Sequence, residues 1–374
     1  MSNIVKTNEI MKPQVELKEM FINFRLMLVR NYEKLPFVSA MSEECRTEFE
    51  DDFVSFITRK KRNLVVTNID SLNKEKRLML YNRGLWLKEL ENEKNITYIY
   101  SGSLDFAIIS NYKNHITILS ATNQSVFKNA YKRLTELGEK ISEFARVNAN
   151  ERYGYVSPVL KDCGLGFKIT ALMHIMWVRN FNFLASENKE AANTFEKVQD
   201  DLFNRGYLLE KSFFEKLDCD DFCEISSRFN YGVTEQDLME RFVEGLKSFL
   251  EQEQEAIHLA MKEIPEIMQD MAYRSLGVMK YARILGLNEA IRHCANLRIG
   301  IKIKLPIDVD LELLNQLQSA IFNFYLPDEN NDVPAKRAEL VRLLLKGDNN
   351  AKYRIYSGSK QNSFRACTDR SKTF

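Results

Sequence analysis

The stretch Ile96 to Ser120, ITYIYSGSLDFAIISNYKNHITILS, constrains the fold most, because nearly everything around it is helical in period. Ile96 to Tyr100 is β-branched and aromatic, Leu104 to Ser110 is an apolar run, and His115 to Leu119 alternates with Ile116 and Ile118 on one face. Such runs predict three short strands in succession, since branched and aromatic side chains fit a pleated, half-buried surface. Asn111-Tyr112-Lys113-Asn114 forms a polar turn between the second and third. A small sheet inside so much helix needs cover, and its strand ends are natural places for a site. The expected class is α+β.

The first ninety residues predict helices only. Val15 to Asn31 carries Phe21, Phe24 and Leu28 at helical spacing. Ser42 opens a second helix with Glu44 and Glu48 in its early turns, and Leu72 to Leu90 gives a third. Residues 1–92 are therefore expected to form a small helical domain and 93–346 a larger α+β domain, with Asn92 to Asn95 as linker. Asn123 to Val147 is amphipathic, and Lys189 to Phe203 predicts another helix. Arg205 to Glu224 reads as a long irregular functional loop. Thr234, with Asp237 completing a near capping box, starts a long helix that Pro265 interrupts. Gly277 and Gly286 punctuate the chain beyond Pro265. Asn288 to Asn296 is expected to be helical, Arg298 to Leu305 a strand, and Leu311 to Phe324 and Pro334 to Leu345 the closing helices. Residues 347–374 are basic, polar and aperiodic, which predicts a disordered tail.

Composition limits the function classes. Basic and acidic residues number 53 and 52, so no overall field favours nucleic acid or an anionic membrane. No run is long enough to span a bilayer and the N-terminus lacks a signal-peptide core, so a cytoplasmic location is expected. The six cysteines show no paired metal spacing, which points to free thiols rather than zinc. Gly164-x-Gly166 followed by Lys168 is the tightest glycine cluster. It fits either a sharp bend between strands or backbone amides and a cation facing an anion.

Five stretches, in this order, resemble the ATP:guanidino phosphotransferases, the superfamily of creatine and arginine kinases, and within it the bacterial protein-arginine kinases (McsB). NFRLMLVRN (Asn23 to Asn31) is similar to Ser-Ser-Arg-x-Arg-x-x-Arg-Asn. LNKEKRLMLYNRGLWLKEL (Leu72 to Leu90) resembles the bacterial Leu-Ser-Glu-Leu-Glu-Arg-Gln-Leu-Leu helix and its following His-Leu. GYVSPVLKDCGLGFK (Gly154 to Lys168) resembles Gly-Tyr-Leu-Thr-x-Cys-Pro-x-Asn-x-Gly-Thr-Gly-x-Arg. EISSRFNYGVTEQDLMERF and YRSLGVMKYARILGLNEAIRHCANLRIGI resemble two later bacterial segments. The resemblance runs from about Phe21 to Leu345. It implies a helical N-terminal domain, a second domain whose helices cover an antiparallel saddle-shaped sheet, ATP and Mg as cofactors, arginine-containing protein as substrate, and a homodimer.

Phosphorylating a guanidinium is demanding, because the group stays protonated with a pKa above about 12. The family sets carboxylates against the guanidinium to orient and deprotonate it, and arginines with magnesium to clamp the ATP phosphates. The turn that carries the catalytic glutamate reads Asn-Glu-Glu-Asp-His-x-Arg in the family and Asn111-Tyr112-Lys113-Asn114-His115-Ile116-Thr117 here. Lys113 stands at the glutamate and Thr117 at a phosphate-binding arginine. Gly84 stands at the nucleotide-contacting histidine, Val159 at the reactive cysteine and Lys168 at a further arginine. Arg25 matches the first phosphate-binding arginine, Arg205 the arginine before the mobile loop, and Glu210 the glutamate of that loop. KRAELVR (Lys336 to Arg342) resembles the end of Arg-Asp-x-x-Arg-Ala, the bacterial phosphoarginine-sensing motif. Arg337 matches its second arginine, while Val333 and Pro334 replace the Arg-Asp.

Three functions compete. The first is a catalytically impaired homologue that binds nucleotide, a protein partner or a paralogous kinase. The second is an active arginine kinase using Glu210 or Asp105 as base, with Lys113 on the phosphates. The third is a scaffold that binds no nucleotide.

Overall fold

Phe21–Arg30, where apolar spacing predicts a helix, is a ten-residue strand, β1. Phe24 and Leu28 fit a helical period, but Phe24, Leu26 and Leu28 also alternate. The alternation prevails because all three are buried on one face, at 3%, 0% and 2% exposure. In this computed structural model, which describes residues 21–122, 127–174, 194–211, 222–228, 231–322 and 333–347, β1 lies inside an antiparallel sheet of eight strands. The others are β2 (Leu64–Asn68), β3 (Thr97–Ser101), β4 (Phe106–Ser110), β5 (Ile116–Thr122), β8 (Phe167–His174), β9 (Tyr207–Lys211) and β10 (Phe222–Ser227). Two short strands, β6 (Ala149–Asn150) and β7 (Gly154–Tyr155), pair separately. The order in the large sheet is β2-β3-β4-β5-β1-β8-β10-β9.

The three expected strands thus form as β3, β4 and β5. The expected helical domain over 1–92 does not, because β1 and β2 are built into the same sheet as the strands beyond residue 92. The chain divides instead into two compact units, residues 1–216 with 220–257, and residues 258–374 with 217–219. Part of the irregular stretch Arg205 to Glu224 is also strand: Leu209 pairs with Ile225 and Glu210 with Glu224 across β9 and β10. Residues 212–221, and the basic tail beyond 347, lie outside the described residues.

In the first unit, helix α1 (Glu43–Lys60) is capped by Ser42, whose side chain accepts from the Cys45 amide at 3.2 Å, and it buries Phe49, Phe53 and Ile57. Helix α2 (Lys74–Asn82) buries Met79, Leu80 and Tyr81, and helix α3 (Phe127–Ser142) buries Leu134, Leu137 and Ile141. A Cβ at Gly138 would come within 2.4 Å of Leu28 on β1, so glycine allows α3 its close approach to the sheet. Helix α4 (Thr194–Asn204) leads into β9. Helix α5 (Glu235–Glu263) begins with a reciprocal cap between Thr234 and Asp237, each amide donating to the other's side chain at 3.1 Å.

The second unit holds α6 (Pro265–Tyr281), α7 (Leu287–Lys302), α8 (Leu311–Phe322) and α9 (Val333–Leu345). Pro265 begins α6 at its first turn, and Gly277 lies within that helix rather than ending it. The expected strand from Arg298 is helical as far as Lys302, because Ala295, Leu297 and Ile299 bury as part of α7. Among the described residues, no helix is long and apolar enough to cross a membrane.

The core beside β5 closes around His115, which is fully buried. Its ring stacks on Tyr32 at 5.9 Å and meets Phe49 at 5.5 Å. Its Nδ1 accepts from the Tyr32 amide at 3.0 Å, while Nε2 donates to the Pro36 carbonyl at 2.8 Å. That pattern requires the neutral Nε2–H tautomer. Burial pushes the imidazole pKa below its ordinary value, against a smaller opposing effect of the Pro36 bond. The stability tied to neutral His115 is thus present above the unfolded value of about 6.5 and is lost as pH falls through the lower folded value. Urea unfolding should show His115→Gln less stable than the parent by about 1–3 kcal/mol at pH 8, with a shallower loss of stability between pH 7 and pH 5.

Candidate active site

The hairpin tip between β4 and β5 is fixed by side-chain bonds from distant segments. Asn111 takes a left-handed backbone, φ 55°, its amide donates to the His115 carbonyl at 3.0 Å, and its Nδ2 donates to the Arg46 carbonyl at 3.0 Å. Asn31, at the end of β1, accepts from the His115 amide at 3.0 Å and donates to Asn114 Oδ1 at 2.7 Å. The Ser157 hydroxyl donates to the same Asn114 oxygen at 2.7 Å. Asn114 Nδ2 donates to Asp162 Oδ2 at 3.3 Å, which ties the tip to the glycine-containing segment. Lys113, between these anchors, lies with its ammonium 5.0 Å from the Tyr112 ring centroid.

The tip borders a cleft of about 430 Å³ on one face of the sheet. Register sets its wall: Arg25 on β1 pairs with Thr170 on β8, and Met27 with Lys168, while Glu224 on β10 pairs with Glu210 on β9. Of the residues expected to act, Arg25, Lys113, Thr117, Lys168 and Glu210 all line this cleft. Met27 stands at the middle arginine of the Ser-Ser-Arg-x-Arg motif, so the wall carries a thioether there.

Gly84 sits against the cleft wall rather than lining it. It has φ 69°, and a Cβ there would lie 2.8 Å from the Ala121 Cβ and 3.6 Å from the Arg25 Cβ, so the backbone excludes a histidine. Arg205 does not line the cleft; its Nε pairs with Asp201 at 3.0 Å on a half-exposed surface. Arg337 belongs to the second unit, buried in α9, where it donates to the Leu285 carbonyl at 3.1 Å. Asp105 also lies elsewhere, 4.0 Å from Arg133. Of the two readings of Gly164-x-Gly166, the close bend fits. Gly166 has φ 58°, and a Cβ there would stand 2.9 Å from the Val29 carbonyl.

Sequence reasoning missed five charged residues of the cleft: Lys88, Glu89, Lys161, Asp162 and Glu224. Glu224 accepts from Arg25 Nη2 at 2.7 Å through one oxygen and from the Tyr81 hydroxyl at 2.6 Å through the other. Burial works against the Arg25 charge, but Glu224, together with Tyr81 and Glu89, more than offsets it and raises the guanidinium pKa. Burial likewise opposes the charge of Glu89, yet its own backbone amide and the cations of Lys113, Arg25 and Lys161 hold it below the usual carboxylate range. Lys168 is pushed down by burial and by Lys161 and Arg25, with Glu210 and Asp162 opposing. Lys113 could have signalled nothing about these partners, since they reach the cleft from the segment after α2, the turn before β8, and β10.

The arrangement sets five cations (Arg25, Lys88, Lys113, Lys161, Lys168) among four carboxylates. It suits an anion that brings its own cation better than a bare polyanion. Among the described residues, no group of three or more His, Cys, Asp or Glu side chains has metal-holding geometry.

Residues 45–256 match the ATP:guanido phosphotransferase C-terminal catalytic domain, and residues 265–353 match the protein-arginine kinase McsB C-terminal domain. The protein-arginine kinase of Clostridium novyi is 23% identical over 345 residues, covering 88% of this chain and 96% of that one. The protein-arginine kinase of Staphylococcus saprophyticus is 22% identical over 285 residues, covering 75% and 81%. In fold, the chain is similar to the substrate-free duplicated taurocyamine kinase from Schistosoma mansoni, with a TM-score of 0.53 and 16% identity over 72% of this chain and 39% of that chain. With its antiparallel sheet, its hairpin tip and its cleft in the family's order, the chain belongs to the ATP:guanido phosphotransferase family, close to the bacterial protein-arginine kinases.

Proposed function

We propose that this chain is a catalytically impaired guanidino-kinase homologue that binds Mg-nucleotide in the cleft and acts through binding, on a protein partner or a paralogous kinase. The observation that carries this reading is Lys113. The hairpin tip keeps the family's asparagine and histidine as anchors, yet offers an ammonium where the family offers a carboxylate. An ammonium beside a guanidinium repels it and takes no proton from it. Thr117 and Met27 add no charge for a transferring phosphoryl group, and Arg25 is already paired with Glu224. Single clamp or oxyanion groups contribute about 3–4 kcal/mol to such reactions, so losing several removes most of the rate.

The nucleotide part rests on Lys113, Lys161 and Lys168, which line the cleft together and supply point charges suited to phosphate. ATP brings the transferable phosphoryl group, and magnesium neutralises charge on the phosphates. What this chain adds is the lysine cluster and a sheet that holds it.

A second reading, the active kinase, is favoured by one observation: Glu210 lines the cleft as an exposed carboxylate directly across from Glu224. It would then act as the base.

Incubation of the purified chain with Mg-ATP and an arginine-rich protein should give no phosphoarginine above background. Transfer that disappears in Glu210→Gln would overturn the impaired reading in favour of the active one. In thermal unfolding, Mg-ATP at a hundredfold excess over Kd should raise Tm by roughly 5 °C, and Lys168→Ala should lose most of that shift. No shift in the parent chain would leave the scaffold, in which the cleft holds no nucleotide.

A further inference from the structure

The large sheet ends on β2, which pairs with β3 in one continuous register, from Leu64 opposite Ser101 to Asn68 opposite Thr97. No described strand lies on its other side. Just outside β2, the Gly102 amide donates to the Asn63 carbonyl at 2.9 Å and the Ile69 amide to the Ile96 carbonyl at 3.0 Å. Antiparallel bonding alternates, so Val65 and Thr67 also turn their amides and carbonyls toward β3. Leu64, Val66 and Asn68 turn theirs to the open side. There the Asn68 carbonyl accepts from the Ser71 hydroxyl at 2.7 Å, while Val66 has no hydrogen-bond partner among the described residues.

An edge strand normally carries a lysine, a proline or a bulge that blocks further pairing. Leu64-Val65-Val66-Thr67-Asn68 carries none of these. Val65 and Val66 are 40% and 41% exposed. They stand on opposite faces of the sheet, beside Tyr100 and Ile99 respectively. A layer laid on one face would cover only one valine, whereas a strand added in the plane of the sheet covers both.

Charge is polarised along this edge. Arg59, Lys60, Lys61 and Arg62 precede β2, and of these Lys60 is paired with Glu143 at 2.7 Å. At the other end, Asn68 borders a cavity of about 990 Å³ together with Glu43 and Thr47 of α1. The charges lining that cavity, Glu43, Glu50 and Glu93 with Arg46, Lys94 and Lys113, balance one another. Beyond it, however, Glu43, Glu44, Glu48, Asp51 and Asp52 line an open groove along the first half of α1. Asp70, exposed, follows β2 at the same end. The edge is therefore basic where β2 begins and acidic where it ends.

We propose that β2 is a docking edge for a second copy of this chain, the two β2 strands pairing antiparallel about Val66. Leu64 then lies opposite Asn68 of the second copy and Val66 opposite Val66, so the open amides and carbonyls bond to one another. Val65 lies opposite Thr67 of the second copy, and the branched side chains cover each other on both faces. The two-fold axis brings the basic end of each copy to the acidic end of the other. The two Arg62 residues stand roughly 25 Å apart, well beyond the screening length of about 8 Å. Parallel pairing would set the two basic runs side by side. A strand of alternating apolar residues from another protein would satisfy the main chain equally, but only a second copy brings both charge runs in the matching order. Asn68 shares its cavity with Tyr112 and Lys113, so the docked copy stands beside the hairpin tip.

The test is sedimentation equilibrium of the full chain from roughly 1 to 100 μM, where a small interface shows its association. The parent should show a twofold step in mass with a midpoint near 10 μM, weakened at high salt. Val66→Lys places two ammonium groups at the axis and should weaken the step at least tenfold, with a Tm near that of the parent because the site is exposed. Val66→Ile keeps the branched apolar edge and should keep the step. A second readout needs no variant: in hydrogen exchange, the peptide spanning residues 64–68 of the parent should gain protection across the same concentrations. A parent without the step overturns the proposal, since the edge is then left bare or covered by something other than a second copy. A step unchanged in Val66→Lys, or one that leaves exchange at 64–68 unaltered, also overturns it by placing the contact elsewhere on the chain.

Discussion

Everything at the cleft depends on the small hydrogen-bond frame beneath the β4–β5 hairpin. Asn31, Asn114, His115, Ser157 and Asp162 come from three separated segments, and their side chains replace the backbone pairing that a tight turn cannot make for itself. Asn31 is the centre of it. One amide group receives from the His115 backbone, donates to Asn114, and donates again to the Val156 carbonyl at 3.0 Å. Because the partners are buried, each bond left unmade would cost the desolvation of its polar group. The tip is therefore held in one conformation, and whatever residue stands at 113 is delivered to the cleft. Conformation and chemistry have separated at this point. The frame is kept while the charge it presents has changed sign.

The cleft behind the tip is balanced rather than strongly cationic. Arg25 is the residue that best matches a phosphate clamp, yet Glu224 and Tyr81 already complete its surroundings. A phosphate reaching Arg25 must compete with a partly buried, hydrogen-bonded carboxylate, and breaking such a pair leaves an uncompensated charge. The lysines reach the cleft from β8, the turn before it and the hairpin tip. In the proposed reading, anion binding centres on Lys161, Lys168 and the hairpin rather than on β1. It also explains how a chain can keep the family's sheet and lose the family's arginine clamp without collapse of the wall. Met27 and Thr117 occupy their places without requiring a counter-charge.

Much of the fold was legible in the residues. Strands β3 to β5 come from branched and aromatic alternation, and the Ser42 and Thr234 caps mark their helices because the capping chemistry is local. β1 was not legible, since Phe24 and Leu28 satisfy a helical period as well as they satisfy a strand. Only burial between β5 and β8 decides between them. The apolar residues of Arg298 to Lys302 misled in the opposite way, because a short apolar run does not distinguish a strand from a buried helix end. At the site, motif positions brought Arg25, Lys113, Thr117, Lys168 and Glu210 to one cleft. Arg205 and Arg337 were matched by local sequence alone, and each has a partner elsewhere. Glu224 could not have been paired with Arg25 in advance, because 199 residues separate them.

The central claim is that the residue presented by the hairpin tip, and not the fold around it, limits phosphoryl transfer. Its most direct test is single-turnover transfer of the γ-phosphate of ATP to arginine in protein, measured for the parent chain and for Lys113→Glu combined with Thr117→Arg. The account predicts no measurable transfer by the parent and a detectable rate in the double variant, with both folded to similar Tm. Transfer by the parent at a rate equal to or above that of the double variant would contradict it.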